Sequence, residues 1–145
     1  MWIAASLAML LLHYAWEMGQ ARFFADFAAT PFLRHAFTCL LASLGDLAIA
    51  TLAYFVTAAA FRRLAWPLRP NWFEPALLWM ALGLLAAVVI ERRCVAAGRW
   101  AYSSAMPIVF GIGVLPLLQW VVVPAAALAL FRWFAARATR RRSLP

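Results

Sequence analysis

Residues 11–20 read Leu-Leu-His-Tyr-Ala-Trp-Glu-Met-Gly-Gln and place His13, Glu17 and Gln20 inside an otherwise apolar run. Spacings of four and then three residues align these side chains along one face of an α-helix. The aromatic and cationic flank that follows, through residue 24, is typical of a membrane surface. The stretch therefore predicts a first membrane helix over residues 1–24 that carries a polar stripe.

Composition extends this prediction to the whole chain. The 145 residues are 68% hydrophobic and 12% charged, whereas a soluble domain is about 45–50% apolar. A membrane span needs about 20 apolar residues, and four such stretches use nearly the whole length. We predict an all-α polytopic membrane protein that forms a four-helix bundle in a single membrane domain. The predicted helices cover residues 1–24, 36–61, 72–90 and 105–134, and a basic cytoplasmic tail follows at 135–145.

The fourth predicted helix is too long for a straight span at about 1.5 Å per residue. It contains Pro107, Pro116 and Pro124, and proline inside a helix removes a backbone hydrogen bond and bends the axis. We therefore expect a kinked fourth helix.

The charge distribution predicts the topology. The formal net charge of +8 arises from 13 basic residues, all arginine, against five acidic ones. In a membrane protein such an excess reflects orientation and anionic lipid, and no nucleic-acid-binding module is recognisable, so we expect no nucleic-acid partner. Eight arginines fall on the side of the termini and five on the other, which predicts a bacterial inner-membrane protein with both termini in the cytoplasm. The eight are Arg62, Arg63, Arg69, Arg132, Arg137, Arg140, Arg141 and Arg142, and the five are Arg22, Arg34, Arg92, Arg93 and Arg99.

A second polar stripe matches the first. Cys39, Ser43 and Asp46 repeat the same spacing on the second predicted helix. Counted from the helix ends, Glu17 lies about 10 Å, Asp46 about 15 Å and His13 about 17 Å below the outer surface. The two stripes therefore share a depth in the outer half of the bundle.

Ionisable residues at this depth predict a functional site. Each costs about 2.5–3.5 kcal/mol even on the lenient insertion scale, so it should face the interior and have a partner. We assign Glu17 and Asp46 as a catalytic proton-handling pair and His13 as their relay. Substrate contacts are assigned to Gln20, Ser43, Gln119, Glu91, Arg92, Arg99 and Tyr102. Within that set, Gln119 would orient the substrate, and Arg92 or Arg99 would contact a phosphate or carboxylate headgroup.

Three interpretations of the function stay open. In the first, the site binds a lipophilic or lipid-linked molecule and acts on it by acid/base chemistry, as an isomerase, cyclase or hydrolase would. In the second, the chain is a non-catalytic subunit or assembly factor held together by a polar clasp. The third is a proton-coupled transporter, which at this length would work as a homodimer or in a larger complex. Membrane lipids are expected partners in all three, and no cofactor is expected.

Two further features leave alternatives open. His13, Glu17 and Asp46 form a weak alternative as metal ligands, since a second inward histidine is missing. Cys39 and Cys94 are both expected near the outer face, where they would be either bridged or free thiols.

Short motifs in the first two helices resemble known families. Ala15-Trp16-Glu17 with Gln20, followed by Gly45-Asp46, is similar to a pattern of small VanZ-like membrane proteins. The His13 and Glu17 pair separately resembles the sterol-isomerase-type, emopamil-binding four-helix proteins, whose polar residues move protons on a lipophilic substrate. Each resemblance covers at most helices 1 and 2, and no catalytic assignment is carried over from either.

Overall fold

A computed structural model describes residues 2–27 and 29–142, and the side chains of 140–142 are not among the described features. Four α-helices make up most of it: α1 (Trp2–Gln20), α2 (Phe32–Ala60), α3 (Phe73–Ala96) and α4 (Val114–Arg142). A small antiparallel hairpin, β1 (Ile108–Val109) and β2 (Ile112–Gly113), precedes α4. Single 3-10 turns at Ala21–Phe23 and Trp66–Leu68 follow α1 and α2. The chain is therefore all-helical apart from one hairpin and its loops.

The helices pack as a closed ring in which α1 contacts α2, α2 contacts α3, α3 contacts α4, and α4 contacts α1. Small residues allow the closest of these contacts. A Cβ atom on Gly83 of α3 would lie 2.1 Å from the ring of Trp120 on α4, so only glycine fits against that indole. Trp66 and Trp79 fill the interior nearer the α2–α3 connection.

The outside of the ring is apolar. Large hydrophobic side chains such as Ile3, Leu33 and Leu52 are more than two-thirds exposed, a pattern that soluble monomers rarely show over so wide a surface. Among the described residues, three helices are long and apolar enough to cross a membrane: α2, α3 and the Val114–Thr139 part of α4. These features are compatible with a multi-pass membrane protein. The helix outside this set of three is α1, which carries the polar stripe of His13, Glu17 and Gln20.

Several predicted helix boundaries are wrong. The first helix ends at Gln20 rather than at residue 24, the second begins at Phe32 rather than at residue 36, and the larger differences are in the third and fourth helices. The third helix continues six residues past Ile90, because the charged residues 91–93 stay helical and Gly98, with φ of +63°, ends the helix in the left-handed region. Residues 105–113 are not helical, since Pro107 and the positive φ of Gly111 direct the chain into the hairpin, and α4 begins only at Val114. It then runs on through residue 142, so most of the predicted tail is helix. Residues 143–145 of that tail lie outside the described residues.

One end of the ring is defined by the ends of α1 and α3 and the beginnings of α2 and α4, and we call it the site end. Its two connections are joined by backbone hydrogen bonds: Ala25 N–H donates to Ala101 at 2.9 Å, and Ser103 N–H donates to Phe23 at 2.9 Å. Phe24 and Tyr102 form an isolated antiparallel bridge between the same segments. The loop after α3 is thereby held across the end of the bundle.

Candidate functional site

A buried polar cluster joins three helices near the site end. His13 of α1 is fully buried, and its Nδ1 lies 3.3 Å from Asp46 Oδ2 of α2. Gln119 of α4 contacts both residues: its Nε2 donates to Asp46 Oδ2 at 2.8 Å and lies 2.9 Å from His13 Nδ1. His13 Nδ1 therefore either accepts from Gln119 or donates to Asp46, and in both cases the buried Nε2 has no partner.

A chain of side-chain amides connects this cluster to Glu17. Gln20 Nε2 donates to Glu17 Oε1 at 2.9 Å and to Gln119 Oε1 at 3.2 Å. Trp16 Nε1 donates to Gln20 Oε1 at 3.2 Å and so fixes the orientation of that amide. Glu17 and Asp46 are thus connected through two amides. Within the described part of the chain, no direct hydrogen bond joins their carboxyl groups.

A cavity of about 510 Å³ opens beside the cluster at the site end. Its wall presents three carboxyl groups from three helices: Glu17, Asp46 and Glu91. The side chains that complete the polar part of the lining are Gln20, Gln119, Asp26, Thr30, Arg34, His35, Thr38, Cys39, Arg99 and Trp100. Apolar residues, among them Ile49 and Trp120, line the rest. The arrangement combines an apolar chamber with several hydrogen-bond acceptors.

The loop over the site end holds Glu91 in position. Trp100 Nε1 donates to Glu91 Oε2 at 3.3 Å, and the Tyr102 hydroxyl donates to the same oxygen. Burial, reinforced by the hydrogen bond to Glu91, raises the pKa of Tyr102 to about 12. Tyr102 therefore stays a neutral donor to Glu91 at any physiological pH.

The carboxyl groups have few protein cations to balance them. Among the described residues, His13 beside Asp46 is the only basic side chain in contact with a carboxyl group at the cavity, and no arginine bridges Glu17, Asp46 or Glu91. Arg34 and Arg99 line the cavity yet are exposed, which puts their charge at its mouth. The site can therefore accept hydrogen bonds at its wall, and its mouth carries these two arginines together with the exposed Asp26.

The structure brings most of the predicted site residues together. Glu17, Gln20, Asp46, Glu91, Arg99 and Gln119 all line the cavity. His13 lies behind Asp46, and Tyr102 reaches the site only through Glu91.

Besides Tyr102, two predicted substrate contacts do not line the cavity. Ser43 is fully buried, and its hydroxyl donates to the backbone oxygen of Cys39 at 2.7 Å. Its hydrogen bond is therefore made within α2 and not to a ligand in the cavity. Arg92 is exposed and absent from the cavity lining, because the continuation of α3 directs it away while Glu91 turns inward. Of the two arginines predicted as alternatives for the headgroup contact, Arg92 and Arg99, only Arg99 lines the cavity.

His35 lines the cavity but is not among the predicted site residues. Its Nε2 lies 3.6 Å from Cys39 Sγ, and its ring packs against Phe27. The signal was present: His35 precedes Cys39 by four residues and extends the second stripe by one turn. Arg34 and Trp100 had no comparable signal. Arg34 lies in the first turn of α2, ahead of the predicted start of that helix at residue 36, and the position of Trp100 depends on the folding of its loop.

The structure also bears on the metal-site alternative and on the state of the two cysteines. Within residues 2–27 and 29–142, no group of three His, Cys, Asp or Glu side chains is arranged to hold a metal ion, so the metal interpretation of His13, Glu17 and Asp46 gains no support. Cys39 and Cys94 are free thiols, one buried and one half-buried.

Comparisons with protein-family models, with curated proteins and with solved structures find no match to this chain.

Proposed function

We propose that the chain is a bacterial inner-membrane protein with four spans, a fourth helix bent at Pro124 and both termini in the cytoplasm. In this proposal the site-end cavity lies in the outer half of the membrane. It binds a lipophilic or lipid-linked molecule and supplies the groups for acid/base chemistry on it.

The observation that carries this proposal is the presence of three carboxyl groups, from Glu17, Asp46 and Glu91, on the wall of one largely apolar cavity. Its volume of about 510 Å³ falls in the range of about 300–1,000 Å³ found for small-molecule sites. Carboxyl groups at bilayer depth are costly unless something pairs with them. Each of the three already accepts a hydrogen bond from a neighbouring side chain, and a ligand that brings further donors, such as an amine or hydroxyl on a hydrocarbon body, would add to these partners.

The hydrogen bonds suggest different roles for the two acids assigned to chemistry. Asp46 is engaged by His13 and Gln119, which makes it a fixed member of the buried cluster. Glu17 accepts from Gln20 through Oε1 and, unlike Asp46, has no histidine in contact with it among the described residues. Glu17 is thus the better candidate for proton exchange with a ligand, and Asp46 with His13 forms the supporting pair. At the mouth, Arg99 and Arg34 would contact a phosphate or carboxylate headgroup.

Matched long-chain probes test the proposal. Hexadecylamine and hexadecanol carry donors, whereas methyl hexadecyl ether has a similar tail and none. We expect the purified protein to bind the amine and the alcohol at least tenfold more tightly than the ether, measured by native mass spectrometry. A hydrogen bond to a charged group contributes about 1.5–3 kcal/mol, which corresponds to about tenfold or more in affinity.

The substitution Glu17→Gln should weaken amine binding about tenfold or more, and Ser43→Ala, whose hydroxyl does not reach the cavity, should leave it unchanged. Equal affinity for the amine and the ether, or an undiminished affinity in Glu17→Gln, would count against the proposal.

The polar clasp is a second candidate, because the cluster of His13, Asp46 and Gln119 joins three helices. A protein in which the clasp is the whole function should tolerate Glu17→Gln and show no preference among the probes. Its stability should still depend on the cluster.

A further inference from the structure

The hairpin before α4 presents a strained and exposed aromatic tip. Phe110 and Gly111 form its two-residue turn, with φ of +50° and +78°. Turns with positive φ at both positions favour Asn-Gly or Asp-Gly, because other side chains are strained there. Phenylalanine is a poor residue for this turn, and Phe110 is 90% exposed. Contacts within the described part of the chain therefore do not account for its ring.

The rest of β1 is also apolar and exposed. Ile108 is 54% exposed and Val109 47%, whereas Ile112 and Gly113 on β2 are buried, with Gly113 close to the rings of Tyr102 and the side chain of Met106. The hairpin thus has one strand against the protein and one apolar strand facing outward.

The sequence around the hairpin indicates what covers that strand. No charged residue occurs from Trp100 to Phe131, whereas the connection at the same end between α1 and α2 contains Arg22 and Asp26. The hairpin leads directly into α4, whose outward side chains Leu118 and Val121 are apolar and exposed. The apolar outer strand is continuous with the surface of α4 that our proposed function assigns to lipid.

We infer that the tip of the hairpin, Ile108, Val109 and Phe110, inserts into the membrane leaflet at the site end and lies at the boundary between headgroups and acyl chains. This inference rests on the membrane placement in the proposed function. A two-stranded hairpin has unpaired backbone groups along its edges, which cannot enter dry hydrocarbon. The interface accommodates apolar side chains on one side and hydrated backbone on the other. Insertion of the tip also fixes the adjoining loop, which carries Trp100 and Tyr102, over Glu91.

Spin labelling in nanodiscs of phosphatidylcholine and phosphatidylglycerol tests this inference. Phe110→Cys would be labelled in a chain carrying Cys39→Ala and Cys94→Ser, and collisions of the label with oxygen and with a water-soluble nickel complex would be compared. Labels at Asp26→Cys and Leu118→Cys in the same background provide the aqueous and lipid references at the same end.

We expect the label at 110 to collide more with oxygen than with nickel, as at 118 and opposite to 26. Nickel access at 110 equal to that at 26 would overturn the inference, and so would protection from both reagents, which indicates contact with a second copy of the chain. An aqueous label at 118 would instead contradict the membrane placement in the proposed function.

A second variant tests whether the Phe110 ring packs against protein or only strains the turn. Phe110→Asn removes the ring and places a favoured residue in the turn, so the melting temperature in detergent should be unchanged or higher. A fall in melting temperature would show that the ring packs against protein, which also overturns the inference.

Discussion

Gln119 is the residue whose removal should disturb the polar cluster most. It is buried and makes three side-chain contacts, to Asp46, His13 and Gln20. The substitution Gln119→Met keeps the length and volume of the side chain and removes all three. Hydrogen bonds between membrane helices contribute about 0.6 kcal/mol each, so the contacts with His13 and Gln20 contribute about 1.2 kcal/mol together. The hydrogen bond to Asp46 is one to a carboxylate and contributes about 1.5–3 kcal/mol. We therefore expect a loss of about 3–4 kcal/mol.

Reversible unfolding in mixed micelles of dodecyl maltoside and dodecyl sulfate measures this change. Leu118→Met is the matched control, because it alters the neighbouring, exposed side chain of the same helix and should cost less than about 0.5 kcal/mol. A Gln119→Met protein as stable as the Leu118→Met protein would refute the idea that this cluster joins α1, α2 and α4.

Two further predictions concern packing and pH. Gly83→Ala should destabilise the protein by about 1–3 kcal/mol in the same unfolding assay, because the new Cβ meets the Trp120 ring. Gly19→Ala is the control, since the Cβ added there meets nothing within 4 Å. Equal stability of the two variants would contradict the close packing of Gly83 against Trp120. Tyr102 should make unfolding easier as pH rises from 10 towards 12, because the unfolded chain releases its phenolic proton near 10 and the folded chain only near 12. Tyr102→Phe should lessen the fall in melting temperature over that interval, and a fall as steep as in the unsubstituted chain would argue against the raised pKa that burial and the hydrogen bond to Glu91 give Tyr102.

The core of the site could be predicted from spacing alone. His13 and Asp46 are polar residues inside apolar runs, and helical periodicity with a common depth is enough to place them together. Gln119 is nearly as direct, since it is an isolated amide in the fourth apolar stretch. The assignment of Glu17 and Asp46 as a proton-handling pair stays a prediction, and periodicity, which gives a face and a depth, does not say which donor reaches which oxygen. Gln20 and Gln119 lie between them in the hydrogen-bond network.

The loop side of the site depended on features that periodicity does not describe. Glu91 faces the cavity because α3 continues to Ala96 before Gly98 ends it. The predicted third helix stops at residue 90, before the charged residues 91–93. Trp100 and Tyr102 reach Glu91 only after the loop crosses the bundle and pairs with the other connection. Ser43 shows the converse error. A short hydroxyl side chain can bond to its own helix, so a place on a polar stripe does not bring it to the site.

Filling the cavity without replacing its carboxyl groups tests directly whether the lipophilic ligand binds in this cavity. Gly45 lines the cavity, and a Cβ built there meets nothing within 4 Å. Gly45→Trp should therefore fill the space while leaving Glu17, Asp46 and Glu91 in place, and Gly45→Ala is the control. The measurement is the affinity for hexadecylamine in nanodiscs, alongside the melting temperature. We predict that Gly45→Trp loses binding by at least tenfold at an unchanged melting temperature, while Gly45→Ala binds normally. Undiminished affinity in Gly45→Trp would contradict the account.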